Sequence, residues 1–163
     1  MKEEKELELV KNYPSVLEKY GEKMGGLTRF WCGDGWYNLV DQYCQQCAFV
    51  SESFGYDVKI TQIKEKFGLL RIYFDFKSGE PYSRKEKIVR EILQACALRI
   101  EELSKNVCEV TGSSAGTLCR WRDRYKTLCY DATRGSVRYR NYDPVSNSVC
   151  EYWYELDKQK LNG

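Results

Sequence analysis

Three stretches carry side chains able to do chemistry. The first, "CRWRDRYKTLCYDATRGSVRYRNY", interleaves guanidinium groups with indole and phenol rings. Such cations neutralise phosphate and flat rings stack on bases, the combination used by nucleotide and single-strand sites. Arg120 and Arg122 are its candidate ligand contacts. In a strand they and Arg124 project to one side and Trp121 to the other. That leaves two readings, an Arg row facing a ligand or a solvated face above core aromatics.

The second stretch is "KEKFGLLRIYF". A turn at Phe67-Gly68 puts Lys64, Lys66, Arg71 and Tyr73 on one polar face of a hairpin. Three cations and a phenol suit a polyanion. They also suit a solvent-facing surface whose lysines blunt a sheet edge. In the third stretch, "FWCGDGWYNLV", a Gly-Asp-Gly turn lies between Trp31 and Trp36. Asp34 is placed to cap the free amides of a helix start. Alternatively the loop faces a ligand, with Trp31, Trp36 and Tyr37 as apolar walls and Asp34 accepting hydrogen bonds from a ribose or base.

The rest of the composition narrows the chemistry. There is no histidine, which removes imidazole acid–base catalysis, Ser-His and Cys-His nucleophiles, and imidazole metal ligands. No carboxylate cluster stands at ligand spacing, so the sequence leans away from an enzyme. Eight cysteines stand at 32, 44, 47, 96, 108, 119, 129 and 150. The charged start "MKEEKELELVKNYP" has no apolar signal region, and no apolar run reaches the roughly 18–20 residues that span a bilayer. The expectation is a soluble, cytoplasmic protein with reduced thiols and no membrane partner. Cys44 and Cys47 form a C-x-x-C, but in mid-helix, where thiols pack as small hydrophobes. Net charge is only +2, yet residues 118–140 hold six Arg and one Lys against two Asp.

Positioning these groups requires a scaffold. At 163 residues and 42% hydrophobic content, the chain suits one domain with a proper core. Residues 3–11 have a thin apolar edge at Leu7 and Val10. A second helix follows, with Asn12 as its cap, Pro14 in its first turn and Gly21 or Gly25 at its end. Trp36, Leu39, Val40, Tyr43, Cys47 and Val50 recur at helical spacing. Leu70, Ile72, Phe74 and Phe76 alternate as a half-buried strand after an earlier one at Val58 and Ile60. A long helix is predicted over 83–104, and short strands thereafter. The fold class is α+β: helices packed on one side of a small antiparallel sheet, with a β-rich C-terminal third. Residues 1–105 form the helix and hairpin core. Residues 106–163 form a knuckle-like part packed on it as one domain.

Taken in order, "CGDGW", "KEKFGLLRIY" and "CEVTG…RYKTLC" resemble three blocks of a widespread group of small, mostly uncharacterised bacteriophage and prophage proteins. The blocks cover roughly residues 31–131. The resemblance implies phage origin and a bacterial cytoplasm, and it supplies no catalytic residue. In many such proteins the third block opens with Cys-x-x-Cys and resembles a small zinc site. Here Cys108 and Cys129 match, Thr111 and Ala132 depart from the pattern, and Cys119 or Cys150 would have to complete the ligand set. A metal-free knuckle is therefore expected in preference to zinc, and no other cofactor is expected.

By analogy with phage accessory proteins, the combined reading is a non-enzymatic binding protein acting against a host defence. Its ligand is a nucleotide signal or single-stranded nucleic acid, held by Trp31, Asp34, Trp36, Lys64, Lys66, Arg71, Tyr73, Arg120 and Arg122. Two alternatives stand beside it. One is a stoichiometric inhibitor docking a host defence protein on an aromatic patch. The other is a metal-dependent phosphodiesterase or nuclease.

Overall fold

Period 3.6 across residues 37–54 and period two across 69–76 become a helix and a strand in the computed structural model, which describes residues 1–17, 30–77, 83–121, 124–133, 141–143 and 148–150. The architecture is α+β. Helix α1 (Glu3–Asn12) has three glutamates in its first turn and Lys11 in its last, matching the helix dipole. A further helical turn at 14–17 buries Val16 and Leu17. Tyr13 stands between the two, its carbonyl accepting from the amides of Val16 and Leu17, so the break falls one residue beyond Asn12. The expected end of that second helix, at Gly21 or Gly25, lies outside the described residues.

Helix α2 (Tyr37–Phe54) buries Leu39, Val40, Tyr43, Cys44, Cys47 and Val50 along one stripe. Strands β1 (Val58–Lys66) and β2 (Leu69–Phe76) pair antiparallel with Lys66 opposite Leu69. The hairpin therefore turns on two residues, Phe67 at φ 55° and Gly68 at φ 78°, the left-handed pair that a type I′ turn needs. Helix α3 (Arg84–Ser104) opens on Ser83, whose hydroxyl accepts from the Glu86 amide at 3.1 Å. Both long helices lie against the hairpin, α2 along β1 and α3 along β2. Between them sit Ile63, Leu70, Ile72, Tyr43 and Leu93, each less than a tenth exposed. The Ser104 hydroxyl accepts from the Leu70 amide at 3.0 Å and so finishes the edge of β2. Among the described residues, no helix is long and apolar enough to cross a membrane.

The C-terminal part is a second sheet in the order β4-β3-β5-β6, built from β3 (Thr117–Trp121), β4 (Arg124–Leu128), β5 (Asn141–Asp143) and β6 (Ser148–Cys150). A small core of Cys108, Cys119, Leu128 and Cys129 lies beneath it. This part meets the hairpin core by backbone contact. Gly35 donates its amide to the Glu109 carbonyl at 2.8 Å, and the Trp36 indole donates to the Val107 carbonyl at 2.7 Å. Thr127 donates its hydroxyl to the Gly68 carbonyl at 2.6 Å. A β-carbon on Gly35 would lie 2.1 Å from the Cys108 oxygen and 2.4 Å from the Gly112 nitrogen, and one on Gly33 2.0 Å from the Glu109 oxygen. The Gly-Asp-Gly turn is a seat for the knuckle.

Two predictions follow from that joint. Gly35→Ala drives a methyl into backbone that cannot yield, and is expected to cost about 3 kcal/mol or more in urea unfolding. At the same joint, burial pushes the Glu109 carboxyl up, outweighing Lys126 at 2.5 Å. The native state then holds that proton more tightly than the unfolded chain. The stability Glu109 contributes is therefore full below the ordinary carboxylate pKa and is lost as pH rises through the raised one. Unfolding curves taken across acid pH should show this fall, and Glu109→Gln should flatten it.

Candidate functional site

The outer face of the hairpin gathers several of the expected ligand contacts. Residues directly opposite one another on paired strands share a face, and the register sets Lys64 opposite Arg71 and Gln62 opposite Tyr73. A third segment joins them. Trp31 bridges Lys64 in parallel, its amide donating to the Ile63 carbonyl at 3.0 Å and its carbonyl accepting from the Glu65 amide at 2.6 Å. Its neighbours Phe30 and Cys32 turn inward and are buried, while Trp31 is 59% exposed. Trp31, Lys64 and Arg71 thus form one row across three strands, with Tyr73 diagonal to it.

The cations on this face already stand over rings. The Lys64 ammonium lies 5.1 Å from the Tyr73 ring centre and that of Lys66 lies 5.5 Å from Phe67, distances at which the ring quadrupole attracts charge. Arg71 is held from behind. Its Nη1 donates to Glu101 of α3 at 2.6 Å, and its Nε is buried without a partner. One carboxylate thereby fixes the guanidinium plane and takes one of its five donors. Phe67 is 64% exposed. Among the described residues it alone combines a side chain with positive φ, a costly placement for a bulky residue.

Trp36, expected as the opposite wall, is fully buried, with its indole nitrogen spent on Val107. It belongs to the core because the knuckle closes over it. Asp34 does not cap the helix that follows it. Its carboxylate accepts from the Lys2 amide at 2.7 Å and lies 3.9 Å from the Lys2 ammonium. Asp34 therefore ties down the start of α1, away from the hairpin face. Arg120 sits opposite Tyr125 in the β3–β4 ladder, and Arg122 lies outside the described residues. Two residues that the sequence did not single out, Phe67 and Glu101, complete the face. Phe67 could have been noticed as a bulky side chain in the usual Asn-Gly or Asp-Gly turn position. Glu101 has no local signal, because its partner is thirty residues away.

In the expected knuckle, the loop after Cys108 turns back on itself, the Gly112 amide donating to the Cys108 carbonyl at 2.9 Å, and the Cys150 side chain lies outside the described residues. The Thr111 amide donates to Cys108 Sγ at 3.5 Å, and Thr111 Oγ1 lies 3.3 Å from Cys129 Sγ. A hydroxyl stands where a second thiolate would complete Cys-x-x-Cys. Cys119, in the same small core, donates to the Lys126 carbonyl at 3.3 Å. Among the described residues, no group of three or more His, Cys, Asp or Glu is placed to hold a metal ion. Burial pushes the Cys108 thiol up, but hydrogen bonds involving Thr111, Cys129 and Val110 together outweigh it and leave it below its usual range. Burial pushes Cys119 up to about 12. The mid-helix pair follows the apolar logic, burial pushing Cys44 well up and Cys47 up to about 12.

Thr111→Cys would place a third thiol between Cys108 and Cys129. Equilibrium dialysis against Zn²⁺ is expected to show markedly more bound metal for this variant than for the unmodified chain. Set against known proteins, the chain matches no family model, no curated protein and no solved structure.

Proposed function

We propose that the chain is a non-enzymatic binding protein for an anionic, base-containing ligand, and that the outer hairpin face is its site. The observation that carries this reading is the row Trp31–Lys64–Arg71, flanked by exposed Tyr73 and Phe67. Rings exposed beside cations offer stacking surfaces for bases and charge for phosphates, without requiring a particular sequence. The exposed rings of this face, Trp31, Tyr73 and Phe67, are spread over the hairpin and not gathered in one recess, an arrangement that favours single-stranded nucleic acid over an enclosed nucleotide. In the phage setting implied by the sequence blocks, such a protein acts against a host defence in the bacterial cytoplasm.

Phe67 adds support of a different kind. Within the hairpin the ring meets the Lys66 ammonium 5.5 Å from its centre, and glycine or asparagine at this left-handed turn position would relieve strain of order 1–3 kcal/mol. A ring kept in that place and pointed at solvent serves a surface contact.

Titration with a short single-stranded oligonucleotide tests the reading. Trp31→Ala is expected to weaken binding by about 1–3 kcal/mol while leaving the melting temperature nearly unchanged, because the ring is exposed. Lys64→Ala is expected to reduce the slope of log K against log salt by about one. Binding that is indifferent to both substitutions overturns the assignment. Salt-independent capture of a host protein through the same rings supports the inhibitor reading instead.

A further inference from the structure

Helix α3 has two apolar faces. One carries Leu93, Ala97 and Ile100 and is buried against the hairpin and α2. The other carries Ile88, Ile92 and Leu98, which are 50%, 55% and 55% exposed, with exposed Ala95 among them. These four fall at i, i+4, i+7 and i+10, the stripe of a helix that packs on another helix. A solvated face has no reason to repeat branched apolar residues at that period.

The charges beside the stripe say what covers it. Arg84, Lys85 and Lys87 crowd the N-terminal end, while at the C-terminal end Glu101 is paired with Arg71 at 2.6 Å and Glu102 with Lys105 at 2.5 Å. Glu91 and Arg99 stand four residues either side of Ala95, and neither has an ion pair within the chain among the described residues. A copy of the same helix laid parallel sets like charges against one another. Laid antiparallel about Ala95, it places Glu91 of each copy opposite Arg99 of the other and Ile92 opposite Leu98. The two helix dipoles then oppose favourably. Such a surface is complementary to itself through a two-fold axis, the requirement for an isologous dimer. A seam of 21 residues is about 30 Å long, and alanine at the crossing lets the helices approach closely.

We infer that α3 is a self-association surface and that two copies of this chain pack it antiparallel with Ala95 at the centre. This interface is independent of the ligand face proposed above.

Sedimentation equilibrium over a dilution series reads it directly. The expected species at high concentration has twice the 19.2 kDa chain mass and dissociates on dilution. Glu91→Arg and Arg99→Glu should each weaken the dimer by about tenfold or more, since each sets like charges together. The double variant restores opposite pairing and should recover association to near the original strength. Ile92→Glu should give a monomer with an unchanged circular dichroism spectrum, because Ile92 is exposed in the single chain. A monomer at every concentration overturns the inference. So does a dimer unmoved by Ile92→Glu and by both charge reversals, or a double variant as weak as the singles.

Discussion

The structure depends on one close approach of backbone to backbone. The Gly33-Asp34-Gly35 turn and the loop at 108–112 lie so near that no β-carbon fits at either glycine. The Gly35–Glu109 and Trp36–Val107 hydrogen bonds cross this joint, and polar groups drawn away from water in this way are paired within the protein. Everything on the N-terminal side of the turn inherits its position. The Trp31 segment is added to β1 immediately before the turn, and Asp34 reaches from the turn to the first residues of α1. The Met1 ammonium donates to the carbonyls of Phe30 and Cys32 and lies 3.7 Å from buried Glu6, which itself accepts from the Phe30 amide.

The same joint separates two tryptophans that look alike in the sequence. Trp31 precedes the turn and takes its orientation from strand pairing, which alternates faces and sends its ring outward. Trp36 follows the turn and lies beneath the knuckle. Their difference in burial is a difference in which non-local partner each meets. The hairpin tip repeats the pattern on the far side, where Gly68 lies against Leu118 and Lys126. Lys126 sits 2.5 Å from Glu109 and 3.6 Å from Glu65, joining the knuckle, the joint and β1.

Local physics was legible where it decided the outcome. The Phe67-Gly68 turn, the stripe of α2 and the start of α3 at Ser83 could be read from period and capping chemistry. The outer face was legible in part. Alternation placed Lys64, Arg71 and Tyr73 together, whereas the third strand that brings Trp31 beside them is a parallel bridge across thirty-three residues with no local mark. Asp34 read as a cap for its own helix because capping is the nearest use of a carboxylate at a turn. The fold gave it to α1 instead, a choice visible only when residues 2 and 34 meet. At Thr111 the departure from Cys-x-x-Cys was plain in the sequence, but the hydroxyl's seat between two sulfurs was not.

The indole of Trp36 reaches a partner 71 residues further along the chain. During synthesis, the ribosome must release the whole of α2, the hairpin and α3 before that acceptor exists. Contacts of such separation close late and at an entropic cost that local helices do not bear. The seat of the Trp36 indole is consequently among the late parts of the core to settle. A nascent chain carries an uncovered tryptophan until then, the kind of surface that holding chaperones take up.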